Sequence, residues 1–144
     1  MYYGGEIIIV RNIVFDGNRA DHASLGGRPC VILSDVNDKI TMLPLTSRKL
    51  DNSEFSVEFT KNQIKCDNSQ FRKKDRTYIN LLSVFQRELR YYDIEAHITD
   101  KRYYRLLGEI FEKQLEYERK CMEIYREIYP DLEKQREELR LILK

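Results

Sequence analysis

Residues 26–49 read GGRPCVILSDVNDKITMLPLTSRK. Two apolar runs, Cys30–Leu33 and Ile40–Leu45, are separated by a short segment rich in Ser, Asp and Asn. Apolar runs joined by turn-forming residues are typical of a β-hairpin. The hairpin predicts a β-rich fold for the part of the chain around it.

Polar groups flank the open end of this predicted hairpin. Arg28 comes just before the first strand. Thr46, Ser47 and Lys49 come directly after the second strand. Because antiparallel pairing sets the start of one strand beside the end of the other, we expect these side chains to lie close together. A guanidinium, two hydroxyls and an ammonium at one sheet edge suit the binding of a phosphodiester and could also serve its cleavage.

The composition fits a single soluble domain with a local basic segment. The chain has 144 residues, of which 34% are charged, and a net charge of +1. Bulk electrostatics therefore do not point to a nucleic-acid partner. Residues 61–90, however, hold eight lysines and arginines against three acidic residues. A local basic patch can hold phosphates on a neutral protein, and a solvated loop is the equally open alternative.

The cysteines and the hydropathy pattern exclude several classes of protein. Cys30, Cys66 and Cys121 are odd in number, widely spaced and without a CxxC or Cys/His motif. This argues against a structural zinc site or a disulfide framework, and we expect neither a metal nor another cofactor. No signal peptide and no apolar run of about 18 residues is present, so we expect a cytoplasmic protein without membrane association.

Strand patterns occupy the first two thirds of the chain. Residues 15–27 are rich in Gly, Asn and Asp and predict a loop, and the polar, basic residues 60–76 predict another. Val84 and Phe85 could extend the last strand or begin another. The predicted strands cover residues 5–14, 30–35, 39–46, 55–59 and 77–82.

The pattern changes to helix at Asp100, which could cap the first turn. Apolar residues such as Leu106 and Ile110 then recur at steps of three and four residues. Pro130 is expected to break or kink this helical region, leaving a turn-rich final segment. Strands followed by helices predict a single α+β domain, mainly β: a small curled barrel over residues 1–99 with helices of residues 100–144 packed on it.

Three short motifs, in this order along the chain, resemble those of the MazF/PemK family of toxin endoribonucleases. They are Gly-Glu-Ile at residues 5–7, Gly-Gly-Arg-Pro at 26–29 and Pro-Leu-Thr-Ser at 44–47. The resemblance covers roughly residues 4–113. It implies an SH3-like barrel, an oligomeric assembly and an antitoxin partner, and it implies active-site roles for Arg28, Thr46 and Ser47.

Two further segments resemble the ToxN/AbiQ/CptN branch of that superfamily, whose antitoxin is an RNA. They are LPLTSRK at residues 43–49, which matches Lys49 to the lysine of that branch, and Tyr-Ile-Asn-Leu at residues 78–81. The resemblance favours a repeated RNA antitoxin over a small protein antitoxin.

Metal-free RNA cleavage needs a base for the 2′-hydroxyl, stabilisation of the charged phosphorane and an acid for the leaving 5′-oxygen. It leaves a 2′,3′-cyclic phosphate. Arg28 can hold two phosphate oxygens, and Lys49 could supply a point charge or the acid. Thr46 and Ser47 could orient the phosphate, although a Thr-Ser pair after a strand is more often a turn former. None of these residues is an evident general base.

The candidate residues for binding single-stranded RNA lie mostly in or near the basic segment. Phe71 could stack on an unpaired base between its basic neighbours. His22 could contact RNA or act as the base, or it could simply be an exposed loop histidine. The full set of candidates is His22, Phe71, Arg72, Lys73, Lys74, Arg76, Gln86 and Arg87. The competing hypothesis is a non-catalytic toxin resembling CcdB, or a binding module, on the same barrel.

Overall fold

The computed structural model describes residues 1–11, 27–49, 53–119 and 122–144. These residues form eight strands and three helices. Their bounds are β1 Glu6–Val10, β2 Arg28–Ser34, β3 Lys39–Pro44, β4 Ser56–Thr60, β5 Ile64–Cys66, β6 Arg76–Asn80, β7 Phe85–Glu88, β8 Ala96–Ile98, α1 Asp100–Glu112, α2 Gln114–Arg119 and α3 Glu123–Ile142. The predicted loop before Gly27, the end of the predicted first strand and Cys121 lie outside the described residues.

The strands form one large antiparallel sheet and one ribbon. The sheet has six strands in the order β5-β8-β1-β2-β3-β7, and β4 pairs with β6 in the ribbon. An isolated antiparallel bridge between Thr46 and Tyr78 joins the two. Across the described residues these pairings do not close into a barrel. The predicted α+β architecture with a mainly β core is confirmed at that level.

The hairpin predicted from residues 26–49 is present. Strands β2 and β3 pair antiparallel, with Val31 opposite Leu43 and Cys30 opposite Pro44. The connecting turn spans Val36–Asp38. Two of its residues, Asn37 and Asp38, have φ angles of 57° and 58°, a region that Asn and Asp tolerate better than most residues.

Both faces of the central strands are buried, which explains why their sequences are continuous apolar runs rather than alternating ones. On one face, Leu33 and Leu43 pack in a core cluster with residues of α1 and α3, including Tyr125. On the other face, a separate buried cluster includes Cys30 and Met42. The helices therefore cover one side of the sheet, as the order of strands and helices predicts.

The loop predicted for residues 60–76 is wrong in part. A short helical turn at Lys61–Gln63 leads into strand β5, which pairs with β8. Each of these strands has three residues, too few for their alternation to stand out in the sequence. The strand β8 was not predicted. Phe85 begins a new strand, after a helical turn at Leu81–Ser83, rather than extending β6.

The predicted cap at Asp100 and the predicted turn-rich final segment are also wrong, and of the break or kink expected at Pro130 the break is absent. Thr99 occupies the N-cap position and Asp100 is the first helical residue, where a carboxylate is favourable to the helix dipole. Pro130 does not break the helix but lies inside α3, which continues to Ile142 in place of the predicted turns. Tyr129 and Leu132 on either side are buried, and this packing offsets the roughly 3 kcal/mol that an interior proline costs.

None of the helices formed by the described residues has both the length and the apolar character needed to cross a membrane.

Candidate functional site

A cavity of about 200 Å³ opens at the end of the β2–β3 hairpin where Arg28 and Thr46 lie. Its walls come from the start of β2, the residues after β3, strand β5, the segment before β6, and β6 itself. The lining residues are Gly27, Arg28, Pro29, Leu45, Thr46, Ser47, Ile64, Phe71, Arg72, Lys73, Lys74 and Thr77. The cavity thus brings together seven of the residues singled out from the sequence.

Gly27 and Arg28 enter the cavity from a constrained turn. Gly27 has a φ of 93°, and a Cβ atom there would lie 2.5 Å from the Cγ2 atom of Ile9. Only glycine fits both conditions without strain. The half-buried Arg28 side chain donates from Nη1 to the carbonyl oxygen of Leu45 at 3.5 Å. That contact directs the guanidinium toward the residues that follow β3.

Thr46 is fixed on both sides by its backbone. Its N–H donates to the carbonyl of Tyr78 at 2.9 Å, and its carbonyl accepts from the Tyr78 N–H at 2.7 Å. Its hydroxyl oxygen accepts the Arg48 N–H at 3.2 Å, which is the turn-forming arrangement that the sequence left open. The hydroxyl proton and a second lone pair are not used by that bond. Ser47, beside it, is exposed at the cavity mouth.

The basic segment Phe71–Lys74 forms the opposite wall. Lys73 donates from Nζ to the carbonyl of Ile64 at 3.0 Å, and the Phe71 carbonyl accepts from the Cys66 thiol at 3.7 Å. Both contacts tie the segment to β5. Phe71 is half-buried and packs against the core, whereas Arg72 and Lys74 are exposed. Lys73 also lines an adjoining surface depression together with Lys61 and Arg76.

Strand register places four side chains of this region in one row. In the β2–β3 pair Cys30 lies opposite Pro44, and the Leu45 N–H donates to the Pro29 carbonyl at 2.8 Å. Continuing this register by one more residue on each strand places Arg28 opposite Thr46. Thr46 is bridged to Tyr78, and Tyr78 is opposite Glu58.

Directly paired residues share a face of an antiparallel sheet, with Cβ atoms about 4.5–5.5 Å apart. We call Arg28, Thr46, Tyr78 and Glu58 the cross-strand row.

Charged groups surround the outer end of the cross-strand row. Arg76 donates from Nη1 to the Glu58 carboxylate at 2.8 Å, and Tyr78 lies opposite Glu58 on the neighbouring strand. These contacts, the Arg76 hydrogen bond above all, lower the pKa of Glu58, and Lys49 adds a smaller electrostatic effect in the same direction. The pKa of Tyr78 is raised by partial burial and then by the neighbouring Glu58 carboxylate.

Cys30, two residues from Arg28, is not a usable nucleophile. Its side chain is fully buried, and burial raises the pKa of its thiol to about 12. A thiol rather than a thiolate is therefore present at neutral pH.

Several predicted site residues lie away from the cavity. Lys49 is exposed and does not line it, lying instead within electrostatic reach of Glu58. Gln86 is on β7, where its amide donates to Thr41 Oγ1 at 3.1 Å. Arg87, on the same strand, lies 5.6 Å from the ring of Phe85. Strand β7 pairs with Lys39–Met42, toward the closed end of the hairpin.

His22, the remaining candidate, lies outside the described residues. A scan against protein-family models finds no match, and a search of the curated proteins finds no relative.

Proposed function

We propose that this chain is an endoribonuclease toxin that cuts single-stranded RNA without a metal ion and leaves a 2′,3′-cyclic phosphate. The observation that carries the proposal is the convergence of Arg28, Thr46 and Ser47 with a basic wall in one cavity. That cavity presents a guanidinium, two hydroxyls and three cationic side chains to a single space of about 200 Å³. The bridge from Thr46 to Tyr78, which curls the ribbon onto the sheet, supports an SH3-like barrel type.

Within this proposal each residue has a role that follows from the chemistry of its side chain. The Arg28 guanidinium holds two oxygens of the scissile phosphate and stabilises the charge that develops on the phosphorane. The hydroxyls of Thr46 and Ser47 orient that phosphate. Lys49, at the outer end of the cross-strand row, adds a point charge or protonates the leaving 5′-oxygen.

The basic wall Phe71–Lys74 supplies affinity for the RNA strand. Its cationic side chains bind backbone phosphates, so binding should weaken steeply with salt. The ring of Phe71 offers a face on which an unpaired base stacks. Arg76 extends the cationic surface into the adjoining depression.

The experiment that tests the proposal incubates the purified chain with a pool of labelled single-stranded RNA in the presence of a chelator. We expect discrete products that carry a 2′,3′-cyclic phosphate by mass spectrometry. Arg28→Ala and Thr46→Ala should each lower the single-turnover rate about 10²–10³-fold, the usual loss when a transition-state contact is removed. Arg126→Ala, an exposed arginine on α3, is the matched control and should cleave like the parent chain.

The second candidate is a non-catalytic RNA-binding module on the same fold. It is favoured by one observation, that the Thr46 hydroxyl already serves the turn through the Arg48 N–H. This candidate predicts tight, salt-dependent RNA binding with intact RNA recovered at every time point. Recovery of intact RNA would replace the nuclease proposal with the binding module.

The proposed toxin acts in the cytoplasm and is silenced by an antitoxin, with an RNA repeat favoured over a small protein. Size-exclusion chromatography coupled to light scattering, with and without RNA transcribed from the region upstream of the gene, tests this. A tandem RNA repeat that co-migrates with the chain and blocks cleavage would support the RNA antitoxin. A small upstream reading frame whose product does the same would support the protein antitoxin.

A further inference from the structure

Among the residues that the structure describes, those of the proposed cleavage centre include no evident proton acceptor for the 2′-hydroxyl. Arginine and lysine are protonated at neutral pH, and unactivated hydroxyls are poor bases. The His22 side chain lies outside the described residues. The described residues nevertheless place a carboxylate in line with the centre, at the far end of the cross-strand row.

The row brings this carboxylate to the centre through register alone. Thr46 is bridged to Tyr78 and Tyr78 is paired with Glu58, so one strand lies between the Thr46 hydroxyl and the Glu58 carboxylate. Adjacent strands lie about 4.8 Å apart, so Glu58 lies about two strand spacings from Thr46, with Tyr78 between them. Tyr78 is the direct cross-strand neighbour of Glu58, and the Glu58 side chain is 43% exposed, open to solvent and to an RNA strand.

We propose that Glu58 is the general base of the cleavage reaction and that the Tyr78 hydroxyl passes the proton to it. The inference rests on the proposed function, because it assigns a missing role in that reaction. The Arg76 contact at 2.8 Å favours the ionised form of the carboxylate.

The step balances as follows. The 2′-hydroxyl proton moves to the Tyr78 oxygen while the Tyr78 proton moves to the Glu58 carboxylate. The freed 2′-oxygen forms a bond to phosphorus, and the bond from phosphorus to the 5′-oxygen breaks. The 5′-oxygen takes a proton from water or from Lys49, which is then reprotonated by solvent, and Glu58 returns its proton to solvent. The products are a 2′,3′-cyclic phosphate and a 5′-hydroxyl, with no net change in protons or electrons.

The experiment compares Glu58→Gln and Tyr78→Phe with Glu54→Gln, a nearby exposed glutamate that serves as the matched control. Single-turnover cleavage is measured on an RNA that the parent chain cuts. Affinity is measured on the same RNA with a 2′-deoxy residue at the cut, which binds but cannot react. We expect both row variants to lose about 10²–10⁴-fold in rate, as removal of a general base does, with affinity unchanged within about threefold.

A pH profile separates catalysis from packing. Glu58 acts as a base only when ionised, so the parent rate should fall as pH drops through its pKa, which Arg76 holds below the usual carboxyl range. Arg76→Ala removes the same ion pair but keeps the carboxylate. It should move this acidic limb toward higher pH and weaken RNA binding while retaining cleavage, whereas Glu58→Gln should abolish the limb.

Three results would overturn the inference in distinguishable ways. If the parent chain cleaves, Arg28→Ala does not and Glu58→Gln cleaves like the parent, the base is elsewhere and the proposed function stands. If Tyr78→Phe keeps full activity while Glu58→Gln does not, Tyr78 does not pass the proton and Glu58 acts without it. If the parent chain cleaves no RNA, the inference fails together with the proposed function.

Discussion

The turn that carries Arg28 into the cavity offers the sharpest test of the geometry. We consider Gly27→Ala. At a φ of 93° an alanine adopts a left-handed conformation that costs about 1–2 kcal/mol. The new Cβ would lie 2.5 Å from Ile9 Cγ2, about 1 Å inside the optimal carbon–carbon separation.

Relieving that overlap resembles overpacking of a core, which costs about 1–3 kcal/mol. Alanine also lowers the conformational entropy of the unfolded chain, which stabilises the folded state by about 0.4–1 kcal/mol. We therefore expect Gly27→Ala to lower the free energy of unfolding by about 1–5 kcal/mol, a large part of the roughly 5–15 kcal/mol typical of a domain.

Urea denaturation followed by circular dichroism measures the effect, and a double-mutant cycle isolates its two causes. In an Ile9→Ala background the colliding methyl group is absent, so the cost of Gly27→Ala should fall to about 0–1.5 kcal/mol. Gly108→Ala in α1 is the control. A Cβ there meets no atom within 4 Å, and alanine should stabilise the helix by about 0.5–1 kcal/mol. An equal cost of Gly27→Ala in both backgrounds would refute the steric part of this reasoning, and no cost in either would refute both parts.

Three further predictions test the packing around the site. Tyr125→Phe removes the buried hydroxyl that donates to the Leu81 carbonyl at 2.8 Å and should destabilise the chain by about 1–3 kcal/mol in urea titrations; an unchanged midpoint would contradict that bond. Arg102→Ala removes a side chain that is 3% exposed and should lower the free energy of unfolding by about 2–4 kcal/mol. This range allows for solvent screening, because the partner carboxylate of Glu109 is a third exposed. A loss below about 1 kcal/mol would count against the buried ion pair. At pH 8, a maleimide should label the exposed Cys66 but spare Cys30, whose pKa is raised to about 12 by burial; peptide mapping that finds native Cys30 modified would disprove its burial.

Local patterns predict those parts of this fold that depend on long apolar runs. The β2–β3 hairpin and α1 each contain enough residues for their periodicity to be visible. The strands β5 and β8 do not, because three residues hold barely one alternation. Pro130 misleads for a different reason: its helix-breaking tendency is real, but the buried residues on both sides of it hold α3 together.

The residues of the candidate site also differ in how far local sequence patterns predict their positions. Arg28 and Thr46 could be placed together from the hairpin alone, since one turn relates them. Glu58 and Tyr78 could not be placed beside them, although the sequence around Glu58 shows which way its side chain faces. Glu58 lies between the buried residues Val57 and Phe59 on β4, and such alternation marks it as facing outward.

What the sequence lacks is the pairing partner of that strand. The Glu58–Tyr78 pair joins residues 20 positions apart, across a segment predicted to be a loop, and a slip of one residue would turn either side chain to the opposite face. The bridge at Thr46 removes that freedom, because the two backbone hydrogen bonds with Tyr78 fix which face Tyr78 shares with Thr46. A residue that reads as a turn former in the sequence therefore also determines which carboxylate stands in line with Arg28. Thr46→Pro, which deletes one of those bonds, should for this reason uncouple Glu58 from the site even where the hydroxyl itself is dispensable.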